Sequence, residues 1–99
     1  MKKITIAIKE PGKAWHTAEV EDALPTYQQI VGGYIEHFKS IGMIAFFCNE
    51  NGKFMNLEPN IYVPELNDIV MGTIFAVRSD DAGEFVSLTK EDEELFKGI

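Results

Sequence analysis

One cysteine, one arginine and two histidines are all that this 99-residue chain carries of several residues that most often do chemistry. A lone Cys48 rules out an intramolecular disulfide framework and fits a reducing compartment. His16 and His37 lie far apart, and neither has a cysteine, histidine or acid around it at metal-ligand spacing, so no metal motif is present. Long hydrophobic runs are missing as well. The longest, Gly42 to Cys48, falls far short of the ~20 residues that cross a bilayer. The opening MKKITIAIKEPGK lacks a continuous apolar segment and a small-residue cleavage site, and reads as a first strand. These absences predict a soluble cytoplasmic protein without a membrane partner.

Positive charge is scarce too: nine Lys and Arg stand against sixteen Asp and Glu, a formal net charge of -7. The imbalance is C-terminal. Up to Asn60 six lysines face seven acids, whereas from Ile61 onward three basic residues face nine. Such a surface repels phosphate backbones, which excludes direct nucleic-acid binding. It attracts basic protein surfaces, including those that normally hold DNA. The plainer role of the acids is to keep a small domain soluble.

What is present, 45% hydrophobic residues in a chain of this length, supports one compact domain over residues 1–99. Ile4, Ile6 and Ile8 alternate with polar or small residues, the period of a strand with one face on a core, and Pro11-Gly12 ends it. Trp15 to Glu21 supplies a second strand of a hairpin. Asp22 to Val31 reads as a helix, with Pro25 in its first turn and Gly32 past its end. Tyr34 to Lys39 and Met43 to Asn49 follow as strands, the latter apolar on both faces and so covered on both. Asn51-Gly52 signals a tight hairpin that folds Lys53 to Leu57 back beside it. Residues 58–64, with prolines at both ends of the stretch from Pro59 to Pro64, read as an ordered loop or an edge. Ile69 to Val77 reads as one long mid-sheet strand, interrupted at Gly72 by a bulge or a close contact. Thr89 caps a C-terminal helix with Asp92 three residues on, and Glu91, Asp92 and Glu93 complement its positive end. The fold class is therefore α+β: a mainly antiparallel sheet of about five or six strands with two short helices.

Catalytic constellations are absent from this pattern. Gly32-Gly33 follows a helix and precedes a strand, the reverse of a phosphate loop. Cys48 and His37 fall on neighbouring strands, but the thiol lies in the most apolar stretch, where a thiolate is disfavoured, and reads as core. Asp80 and Asp81 sit in a turn, where acids are common for conformational reasons. The chain is read as a non-enzyme that needs no cofactor.

Several blocks occur in an order that resembles a known family. They are Leu24, Gln28 with Val31-Gly32-Gly33-Tyr34-Ile35-Glu36, Asn49 with Gly52-Lys53, Leu57 with Pro59-Asn60, Gly72-Thr73, and Leu88-Thr89 before an acidic helix. Together they span nearly the whole chain, and the pattern is similar to domain of unknown function 3846, a family of phages, plasmids and low-GC Gram-positive bacteria. The resemblance implies a mobile-element setting and no particular reaction. On it rests the leading functional expectation, a binding module that blunts a host process by sequestering a nucleotide-like small molecule. Its candidate pocket is built from Gly32, Gly33, Tyr34, Glu36, Pro59 and Asn60, with Arg78 as a bidentate partner for a phosphate. Each has a plainer reading: Tyr34 packed under the helix, Asn60 capping a turn, Arg78 in a strand-end salt bridge. So small a domain encloses little, which predicts a homo-oligomer with the pocket at a subunit interface. The rival expectation is an inhibitor that offers Asp80, Asp81 and Glu84 to a basic host protein, in imitation of nucleic acid.

Overall fold

Alternating isoleucines place β1 (Lys3–Lys9) with Ile4 and Ile6 buried, and the Pro11-Gly12 turn returns the chain along β2 (His16–Glu21) in antiparallel register from Lys3 opposite Glu21 to Ile8 opposite His16. The computed structural model describes residues 2–99. Helix α1 (Leu24–Val31) starts two residues later than its sequence signal, because the Asp22 N–H is still bonded to Lys2 O at 2.9 Å and Ala23 is extended at the N-cap; the Asp22 carboxylate accepts from the Tyr27 hydroxyl at 2.8 Å. Its end follows the glycine signal. Gly32 sits at φ 80°, in the left-handed region, and the N–H groups of Gly32 and Gly33 both donate to Gln28 O.

Strands β3 (Ile35–Ile41) and β4 (Ile44–Asn49) form the next hairpin, with a bulge between His37 and Lys39. After Gly72, β7 (Ile74–Ser79) enters the middle of the sheet, where it pairs with β1 on one side and β4 on the other. The strand order is β2-β1-β7-β4-β3, all neighbours antiparallel, with the short β8 (Phe85–Val86) also on β7. Helix α1 thus carries the chain from one edge strand to the other. It covers one face, packing Tyr27 and Val31 on Ile4, Ile6, Phe75 and Val77. The other face holds Ala7, Ile44, Phe46 and Ala76 beneath Leu88 and Phe96 of helix α2 (Lys90–Lys97) and its lead-in. As its two apolar faces predict, β4 is covered on both sides: Phe46 and Cys48 serve one core and Phe47 the other.

Two local expectations are overturned and a third is narrowed. Lys53 to Leu57 does not fold back as a strand, because β4 already has β3 and β7 on its two edges and offers no pairing site. The segment instead winds through successive turns, with Met55 N donating to Asn51 O and Leu57 N to Gly52 O. Of the two readings of residues 58–64, the edge holds: Pro59–Val63 forms β5, an edge strand with proline at its first position, where no ladder donor is lost. The long strand is split. β6 (Asp68–Met71) pairs only with β5 in a separate two-stranded sheet, and Gly72, at φ 82°, turns the chain into β7. This small sheet buries Val63 and Val70 against Cys48 and Ile74, on the same side of the main sheet as α2.

Candidate functional site

The glycine corner is built around one buried amide. Asn49, at the end of β4, donates from Nδ2 to the Val31 carbonyl at 3.1 Å, and its Oδ1 accepts the Asn51 N–H at 2.7 Å. It closes the last turn of α1 onto the sheet. A Cβ on Gly33 would stand 2.8 Å from that Nδ2, so the second glycine is required by the amide packed over it. Gly72 is required for a different reason, its φ of 82°, which side chains rarely adopt; a Cβ there would in addition push on Leu57 Cδ1, at 2.7 Å. Asn60 is a second pin: Nδ2 donates to Lys9 O and Gly72 O, and Oδ1 accepts from Lys9 Nζ, all at 2.8 Å. It ties the small sheet to β1 and to the Gly72 corner. The sequence blocks at residues 31–33 and 49 thus form the corner between α1 and β4, those at 57, 60 and 72 form the junction between the two sheets, and Val31 and Gly32 border one groove with Leu57 and Gly72.

The proposed ligand residues do not gather in one place. Gly32 lines an open groove of about 340 Å³ with Leu57, Glu58 and Gly72. Glu36 lines a different cleft, Pro59 opens β5, and Asn60 has its side chain occupied as above. Tyr34 is 66% exposed and does not pack under the helix, and Glu36 is exposed as well. Arg78 lies near the far end of β7, where Nη1 donates to Asp92 at 2.9 Å and 3.0 Å. Burial pushes the Asp92 carboxyl up, but the Thr89 N–H and the Arg78 guanidinium outweigh it and hold the group below its ordinary range. Arg78 therefore clamps α2 to the sheet.

Asp80, Asp81 and Glu84 occupy the β7–β8 turn. Asp80 spends its carboxylate on the N–H groups of Ala82 and Glu84, while Asp81 and Glu84 face solvent. Cys48 and His37 do not meet: Cys48 is in register with Glu36, whereas His37 is opposite Phe47 and packs on its ring at 5.5 Å. The thiol, pushed up to about 11 by burial and then by Glu36, stays protonated at neutral pH. No group of three or more metal-ligating side chains stands together among the described residues.

A feature that the sequence reading missed lies between the small sheet and the β3–β4 pair. A cleft of about 180 Å³ is walled by Phe38, Cys48, Phe54, Leu66 and Val70, with Glu36 and Glu50 among its charged lining. Phe54 is 91% exposed, and Met55, Leu66 and Ile69 are each about half exposed. Tyr62 and Ile69 are register partners on β5 and β6, and both face solvent. The available signal was the adjacent Phe54-Met55 pair in a stretch otherwise rich in Asn and Gly, which breaks strand alternation. Lys53 reaches across to Asp68 and pins the turn-forming loop over the edge of β6.

A family model described as domain of unknown function (DUF3846) matches residues 2–98. No curated protein and no solved structure gives a significant match.

Proposed function

The chain belongs to this family, and we propose that it is a non-enzymatic binding module that docks a partner protein on the cleft beside Phe54. One observation carries the reading: a phenylalanine left 91% exposed lines a concave site together with half-exposed Leu66 and Ile69. Burying such a side chain is worth roughly 1.5–3 kcal/mol, and single exposed apolar residues are ordinary, but a cluster around a cleft marks an interaction surface. The wall is braced. Val63 and Val70 root the small sheet in the core, and the exposed Lys53–Asp68 pair adds a weak link from the loop that carries Phe54 to β6. The test is affinity capture from a cell extract with the intact chain and with Phe54→Asp and Leu66→Asp. The reading expects a retained protein that both variants lose; retention unchanged by either variant overturns it.

A second reading keeps the small-molecule signal. Gly32, Gly72 and the Leu57-Glu58 segment line one open groove, which on this reading a second copy of the chain closes. Sequestration of a nucleotide-like molecule there, as a counter-defence device of a phage or mobile element, requires an oligomer. Native mass spectrometry before and after exposure to a small-molecule extract decides it. A monomer with no added mass ends this reading.

A further inference from the structure

We infer that the occupant of the Phe54 cleft is a positively charged protein segment that inserts one large apolar side chain and sets lysine or arginine on Glu36 and Glu50. The inference rests on the docking reading above and adds the chemistry of the partner. Size comes first. At about 180 Å³ the cleft is smaller than the roughly 300–1,000 Å³ of small-molecule sites, and its walls Phe38, Leu66 and Val70 are apolar, so it suits a single anchoring side chain.

Charge then selects the partner. Four charged residues line the cleft: Glu36, Glu50, Lys53 and Asp68. Lys53 and Asp68 pair with each other. Among the described residues no lysine, arginine or histidine lies within 4.0 Å of Glu36 or Glu50, and the Glu36 carboxylate has only the Cys48 thiol beside it, at 4.0 Å. Two negative charges thus stand uncompensated at the edge of an apolar hole. Both are held on the main sheet: Glu36 is within β3, and Glu50 follows β4 with its N–H bonded to Tyr34 O at 2.9 Å. A segment with cations on both sides of an apolar anchor complements this pattern. At low salt the net charge of -7 acts in the same sense, speeding the encounter with a basic partner.

The experiment is fluorescence anisotropy of the full chain with three labelled peptides: a leucine flanked by lysine and arginine, the same peptide with alanine for leucine, and the same with glutamate for the basic residues. The first is expected to bind, with affinity that falls as salt rises. Alanine at the anchor, or Phe54→Ala in the protein, should each weaken it roughly tenfold. Glu36→Gln with Glu50→Gln should weaken it several-fold, mainly through the association rate. Both glutamates and Phe54 are exposed, so circular dichroism should report an unchanged fold in these variants. The inference is overturned if the basic peptide does not bind, if the glutamate peptide binds as well, or if the double Glu→Gln variant binds undiminished. A dimer in sedimentation that Phe54→Ala dissociates also overturns it, by making a second copy the occupant. Should Phe54→Asp abolish capture of a protein from extract while the basic peptide fails to bind, the docking reading survives and only this charge assignment falls.

Discussion

Asn49 and Gly33 form one unit, and the cost of changing either depends on the other. Gly33→Ala drives a methyl to 2.8 Å from a buried amide nitrogen that is already bonded to Val31 O, so the amide must shift or its bond must break. A loss of about 1–3 kcal/mol is expected by urea denaturation. In an Asn49→Ala background the same change should cost much less, and additive losses would show that the two do not interact. Gly32 fails differently. Its space is open, but φ 80° strains any residue with a Cβ, so Gly32→Ala should cost about 1 kcal/mol regardless of Asn49. Cys48 supplies a third outcome. With Cys48 6% exposed and its thiol raised to about 11, alkylation at pH 8 should be slow in the native protein and rapid after unfolding; fast native labelling would contradict the buried placement.

Helix α2 shows how much of an element local sequence can specify. Thr89 Oγ1 accepts the Asp92 N–H at 3.1 Å and the Asp92 carboxylate accepts the Thr89 N–H at 2.8 Å, the reciprocal cap that the Thr-x-x-Asp spacing announces. Thr89→Ala should cost about 1 kcal/mol and raise amide exchange in the first turn of α2. The tertiary bond to Arg78 adds a pH signature. Because the folded carboxyl titrates below its ordinary value near 3.9, its contribution is complete above that value and is lost as pH falls through the lowered one. The stability gap between wild type and Asp92→Asn should therefore be wide at pH 6 and close at strongly acid pH; a gap independent of pH would refute the assignment. The loop at 50–57 is the opposite case. Asn51-Gly52 has the composition of a hairpin turn, yet Gly52 does not take a positive φ, and the segment coils because both edges of β4 are occupied.

At the scale of the whole molecule, acidity and docking are separated. The Asp80–Glu84 turn follows β7 beyond the pairing of Arg78 with Ile44, whereas the Phe54 cleft adjoins the Cys48–Asn49 end of β4. Charge reversal at Asp81 and Glu84 should leave binding at the cleft within about twofold, since exposed charges more than a Debye length of about 8 Å away are screened at physiological salt. Loss of binding on that reversal would move the interface to the turn and favour the acidic mimic. The two sheets meet through Asn60 and Gly72, and Asn49 ties β4 to α1 while also lining the cleft, so a change at Asn49 should affect both the fold and the cleft, whereas Phe54→Ala should affect the cleft alone.

Periodicity and local chemistry made much of this protein legible in advance. The isoleucine alternation of β1, the two-faced apolar run of β4, the glycine stop of α1 and the cap of α2 each depend on residues within a few positions of one another. The α+β class and the acidic surface follow from the same short-range information. Partners distant in the chain decided the rest. Gly72 became the border between two sheets because Asn60 and Leu57 fold against it, and Arg78 became a clamp because Asp92, fourteen residues on, lies within its reach. The cleft itself joins residues from 36 to 71 across three strands and two turns. No local pattern encodes such a surface, because its shape is set by which edges of the sheet remain free once the core has closed.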